Sequence, residues 1–71
     1  MNIVEAIEYL KLNPKSKVIV SSYEYSTDGG DIYSEDINYR LGENPDKKVL
    51  VKVKQIPIEH ILSNSWKIID A

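Results

Sequence analysis

The chain has no cysteine and no phenylalanine, and only one histidine, one tryptophan and one methionine among its 71 residues. Without cysteine there are no disulfides and no cysteine-ligated zinc site, so a small core has to support itself without those staples. A lone His60 also leaves a His-paired nucleophile dependent on some unidentified serine. Neither Gly-x-Ser-x-Gly nor His-Glu-x-x-His occurs, and Gly29-Gly30 has no Gly-Lys-Ser/Thr continuation. Few of the groups that catalysis requires are present, and we expect no catalytic residues, no metal and no cofactor. Excess charge of either sign is missing too: 9 Lys+Arg against 11 Asp+Glu give a net charge of -2. That balance is neither a polybasic footprint for polymeric nucleic acid nor an acidic mimic of it. No apolar run approaches the length that spans a bilayer, and Met1-Asn2-Ile3-Val4-Glu5 lacks a signal-peptide pattern. The expectation is a cytoplasmic protein with no membrane partner.

The chain is long enough for one domain, residues 1–71. Surface scaling leaves roughly 4,500 Å² exposed on folding against about 11,700 Å² unfolded, a burial of about 60% that supports one thin core. Self-association is the obvious remaining source of support.

Asn2 followed by Glu5 reads as a capping box, and Ile3, Ile7 and Leu10 then recur at helical spacing until Asn13-Pro14 stops the helix. This predicts a helix over 3–12, with Lys11 in its last turn. From Lys17 the period becomes two, with Val18 and Val20 on one side and Ile19, Ser21, Tyr23 and Tyr25 on the other, which predicts one strand. The run from Ser26 through Asp28-Gly29-Gly30 to Asp31 is turn chemistry. Alternation resumes between Ile32 and Leu41 and is clearest at Ile37, Tyr39 and Leu41, giving a second strand near 36–42. After the turn at Gly42-Glu43-Asn44-Pro45-Asp46, residues 48–54 alternate Val49, Val51 and Val53 against Leu50, Lys52 and Lys54. Pro57 opens a short helix near 57–63 bearing Ile58, Ile61 and Leu62, and Trp66 to Asp70 forms a last strand. The order α-β-β-β-α-β indicates an α+β fold, an N-terminal helix packed on a small antiparallel sheet.

Two charged clusters have ordinary readings beside functional ones. Asp28, Asp31, Glu35 and Asp36 gather hard oxygen ligands, but their spacing is not that of an EF-hand loop and a solvated turn explains them better. Lys47, Lys48, Lys52 and Lys54 read as lysines guarding an edge strand in preference to a phosphate groove. Five tyrosines and Trp66 are more informative. If the helix packs on the valine side, Tyr23 and Tyr25 lie on the sheet's other face. There they would stack a nucleobase, cover the sheet or line a subunit interface. Trp66 is by default a core or interface residue whose indole N–H needs a partner. Arg40 suits a phosphate contact because its guanidinium donates in a bidentate manner.

Residues 61–70, Ile61-Leu62-Ser63-Asn64-Ser65-Trp66-Lys67-Ile68-Ile69-Asp70, resemble the closing signature Asp-Leu-Leu-Ala-x-Asp-Trp-Glu-Ile/Val of the Thoeris anti-defence family, second type. Glu5-Ala6-Ile7 and the strand from Lys17 to Tyr23 are similar to that family's N-terminal half. About half the chain is covered. The signature's Asp, Ala and second Asp fall on His60, Ser63 and Ser65, while the family's strand Arg and Trp fall on Val20 and Tyr23. The resemblance implies a phage-type sponge that assembles as a homo-oligomer with a shared site. Such a protein binds a cyclic nucleotide immune signal, glycocyclic ADP-ribose or a cyclic dinucleotide, without cleaving it, in the host cytoplasm. It further implies base stacking at Tyr23, with His60 and Asn64 contacting ribose or base edges and Trp66 anchoring their loop. Ser65 does not replace an acidic ribose acceptor in kind. The alternative is a protein-interaction module that inhibits a host protein through its aromatic face or an exposed strand edge.

Overall fold

A computed structural model describes residues 1–37 and 50–69. Helix α1, Ile3–Leu12, begins at the capping box read from the sequence. The Asn2 side chain accepts from the Glu5 amide at 2.9 Å, and Glu5 accepts from the Asn2 amide at 3.0 Å. At its other end the Asn13 amide and side chain both bond to the Tyr9 carbonyl, which closes the helix ahead of Pro14. Ala6 and Leu10 are buried and Ile3, Ile7 and Tyr9 pack beside them, so one stripe of the helix faces the core.

The strands are β1, Lys17–Val20; β2, Tyr23–Thr27; β3, Ile32–Asp36; β4, Val51–Lys52; and β5, Lys67–Ile69. A second helix, α2, spans Ile58–Leu62. All strand pairs are antiparallel in the order β4-β3-β2-β1-β5. The fold is therefore the expected α+β arrangement of an N-terminal helix on an antiparallel sheet, and the expected sequence of elements holds with one strand divided in two.

That division changes which face the tyrosines occupy. Residues 17–25 are not a single strand: Ser21 takes a φ of 55°, and Ser21-Ser22 form a two-residue turn between β1 and β2. Positive φ at only the first of two central residues is the pattern of a type II′ hairpin turn. Val20 then pairs with Tyr23 and Val18 with Tyr25. Directly opposed residues of an antiparallel pair share a face, so both tyrosines lie with the valines under the helices, contrary to the expectation that they oppose them. The opposite face carries Lys17, Ile19, Glu24, Tyr33 and Lys52 by the same register. Lys17 and Glu24 approach to 3.8 Å there.

The second strand also lies earlier than expected. It starts directly after the Asp28-Gly29-Gly30 turn, at Ile32, and ends at Asp36. Most of the anticipated 36–42 segment, with Tyr39, Arg40, Leu41 and the turn at 42–46, is outside the described residues. So are Lys47 and the first two residues, Lys48 and Val49, of the anticipated 48–54 strand. Of that strand the described part contains only Val51–Lys52, at the sheet edge, where Lys52 lies 3.5 Å from Asp31. Beyond it, the Val53 amide still donates to the Ile32 carbonyl at 2.8 Å.

The core comprises Ala6, Leu10, Val18, Val20, Tyr25 and Trp66, with Ile32 and Val53 at its border. No helix among the described residues is long and apolar enough to cross a membrane.

Candidate functional site

Four of the residues singled out in the sequence converge at one end of this core. The hairpin parity brings Tyr23 and Tyr25 to the helix side of β2, α2 turns His60 inward, and Trp66 enters just before β5. The Tyr23 and His60 rings lie 5.0 Å apart and tilted, and Tyr25 and Trp66 rings are 5.1 Å apart. His60 also meets the edges of Tyr25 and Trp66, at 6.0 and 6.4 Å. These separations are those of favourable offset and edge-on aromatic pairs.

Polar groups within the cluster are matched to each other. The Tyr25 hydroxyl lies 2.8 Å from His60 Nδ1, and the Trp66 indole N–H donates to the His60 carbonyl at 2.9 Å. With Tyr25 donating, the imidazole proton sits on Nε2, which makes no hydrogen bond among the described residues. Burial, reinforced by the neighbouring Tyr23, pushes the Tyr25 phenol above its ordinary value, so it remains a neutral donor at physiological pH. His60 has no carboxylate orienting it and no nucleophile bonded to it among the described residues.

The candidate residues thus divide by exposure. Tyr25 and Trp66 are 2% and 1% exposed and pack within the core. The Trp66 indole, through its bond to the His60 carbonyl, ties α2 to the segment before β5. Tyr23 is half-buried and His60 is 6% exposed, so together they form the outward end of the cluster. Asn64 is exposed. Its backbone carbonyl accepts from the Met1 amino group at 3.1 Å, and that amino group also donates to the Trp66 carbonyl. Arg40 lies outside the described residues and is not placed against the cluster.

Helix α2 departs from the sequence reading in the opposite sense. Ile58, Ile61 and Leu62 recur at helical spacing, a pattern that ordinarily faces a core. Here they are 71%, 45% and 75% exposed, while His60 is the residue that goes inside. The hydrogen bonds of His60 to Tyr25 and of its carbonyl to Trp66 fix the helix in that orientation. Sequence periodicity missed this surface because it weighs a stripe of three aliphatics above one histidine. The available signal was that the aromatics on β2 and at position 66 lacked a polar partner and His60 was the only imidazole in the chain.

The acidic loop is a turn. The Asp28 carboxylate accepts from the amides of Gly30 and Asp31 at 2.9 and 2.8 Å and from the Tyr33 hydroxyl at 2.9 Å. These bonds hold its pKa down at about 2, and the same contact raises that of Tyr33. Glu35 is buried, and no group of three or more His, Asp or Glu that could hold a metal occurs among the described residues.

The chain matches no family model, no curated protein and no solved structure.

Proposed function

We propose that this chain is a non-catalytic binding protein that sequesters a cyclic nucleotide signal, glycocyclic ADP-ribose or a cyclic dinucleotide, between copies of itself. The observation that carries the reading is the meeting of the two segments that resemble the Thoeris anti-defence family. Tyr23, at the end of the N-terminal segment, and His60, at the start of the C-terminal one, are 37 positions apart in sequence and have their rings 5.0 Å apart. In this reading the half-buried Tyr23 offers a face for a base, His60 Nε2–H donates to a ribose or phosphate oxygen, and Asn64 reads a base or sugar edge from the adjoining loop. Tyr25 and Trp66 hold these groups in place without touching the ligand.

Self-association completes the site because α2 presents Ile58, Ile61 and Leu62 beside it. A contiguous apolar surface on a small protein commonly marks an interaction site. The test is to mix the protein with each candidate signal, remove free ligand, denature by heat and recover what was bound. Recovery of intact signal supports the proposal. Absence of binding at micromolar protein, or recovery of a cleaved product, overturns it. Tyr23→Ala should weaken binding about 5- to 150-fold, the equivalent of losing one base stack worth roughly 1–3 kcal/mol.

The same exposed α2 favours a second reading, an inhibitor that docks on a host protein, and the short β4 edge offers it an additional contact. A complex captured from host lysate that survives removal of nucleotides, and is lost in Leu62→Glu, would distinguish it.

A further inference from the structure

Away from the aromatic cluster, the C-terminal half of α1 and the β2–β3 turn enclose a groove of about 300 Å³. Its walls include Ile7, Leu10, Pro14 and Ile32, and Lys11 is the only charged residue among the described residues that line it. Glu8, Asp28 and Asp31 adjoin lining residues in sequence without lining the groove themselves, and Asp28 accepts from two turn amides and Tyr33. A second groove of about 310 Å³ shares Gly30 and Ile32 with the first, continues past Val53 and Ile56, and carries Lys54. There Asp31 is engaged by Lys52 at 3.5 Å.

Gly30 is a telling residue on this path. Unlike Gly29, whose φ of 100° calls for glycine, it has no positive φ, and a Cβ placed on it would meet nothing closer than Asp28 Oδ1 at 3.7 Å. Neither backbone conformation nor crowding requires a glycine there, and it lines both grooves.

We infer that this groove binds a medium-chain carboxylate, with the alkyl tail along Ile7, Leu10 and Ile32 and the carboxylate at Lys11. The apolar walls supply the burial, and Lys11, with no anion among the described lining residues, selects the charge of the head group. Taking roughly 30 Å³ for a water-sized group in liquid, the first groove holds about ten non-hydrogen atoms, the size of octanoate. A longer tail runs on into the second groove. The site shares no lining residue with Tyr23 and His60, so it stands or falls independently of the cyclic nucleotide reading.

The test is titration of the isotope-labelled full chain with sodium octanoate to low-millimolar concentration, followed through backbone amide shifts. Saturable shifts grouped at residues 7, 10, 11, 30 and 32 are expected. Affinity should rise up to about fourfold per added methylene from octanoate to decanoate. Octylammonium and 1-octanol should bind at least tenfold more weakly. Lys11→Glu, an exposed substitution, should lose octanoate binding at least tenfold, and Gly30→Val should block it while leaving the spectrum dispersed. If Gly30→Val fails to fold, Lys11→Glu decides alone. No saturable shift at the groove, equal binding of octanoate and octylammonium, or undiminished binding by Lys11→Glu would each overturn the inference.

Discussion

Tyr25 shows how one hydroxyl determines what a neighbouring histidine can do. Its O–H lies 2.8 Å from His60 Nδ1 inside the core, so the imidazole is oriented by a neutral phenol and not by a carboxylate. Tyr25→Phe leaves that buried nitrogen without its partner and should cost about 1–2 kcal/mol. His60→Ala additionally opens a void against Tyr23 and Trp66 and should cost more, about 2–4 kcal/mol. Midpoints of urea unfolding at unchanged slope would check both values. Trp66→Ala should be the most damaging of the three. Loss of a fully buried tryptophan costs about 3–5 kcal/mol, while a chain of this length has roughly 4–10 kcal/mol in total. A native amide spectrum for Trp66→Ala at ambient temperature, with little change in melting, would show that the cluster is not the centre of the fold. Asp28 gives a prediction in pH. Its pKa is lowered from 3.8 to about 2, so the native turn is favoured wherever the unfolded chain's carboxylate is ionised and loses that advantage as pH falls through about 2. Side-chain carbon shifts of Asp28 should therefore titrate near pH 2 in the native protein. A midpoint close to 3.8 would mean that the Gly30 and Asp31 amides do not hold the carboxylate in solution.

At the scale of elements, some features were plain in the sequence and others were hidden for a physical reason. Helix α1 was legible because Asn2 and Glu5 cap it reciprocally, an aliphatic stripe gives it a face, and Asn13-Pro14 ends it. The Asp28-Gly29-Gly30 turn was legible because glycine and aspartate have specific roles in turns. The β1–β2 hairpin was not. Ser21-Ser22 are weak turn residues, and strand-forming residues flank them with unbroken alternation. Counting by twos through a two-residue turn inverts every assignment beyond it, which moved Tyr23 and Tyr25 to the wrong face. The hint was length, since nine residues exceed the usual strand of about five or six. The strain at the turn is testable. Ser21→Gly should stabilise the protein by about 0.5–1 kcal/mol, because glycine takes a φ of 55° without the Cβ clash, and Ser21→Val should destabilise it by at least as much. Thermal melts of the two variants would check this, and melting temperatures in the reverse order would mean that 17–25 do not fold as a hairpin. Helix α2 was legible as an element but not in its orientation, which tertiary hydrogen bonds to Tyr25 and Trp66 decide.

For the whole molecule, the described residues show the thin core expected of a short chain without cysteine: six of them are buried and apolar, and helices α1 and α2 lie on one face of the sheet. The contrast is between a largely polar sheet face opposite the helices and an outward apolar α2. Substituting that helix face should leave the fold intact and affect assembly. Leu62→Glu, at a residue 75% exposed, should change monomer stability by no more than about 0.5 kcal/mol while shifting sedimentation from an assembly towards the single chain. A strictly monomeric wild-type protein at high concentration would remove the shared site. Of the candidate site, Tyr23 and His60 were singled out and their rings do meet, whereas the depth at which Tyr25 and Trp66 lie was hidden, because a sequence shows that a ring is present but not how deeply it is packed. The proposal as a whole is tested most directly by native mass spectrometry of the protein incubated with each candidate cyclic nucleotide. It predicts a species at a multiple of the 8.1 kDa chain mass that carries the intact nucleotide. Observation of only the bare single chain across the whole panel would contradict it.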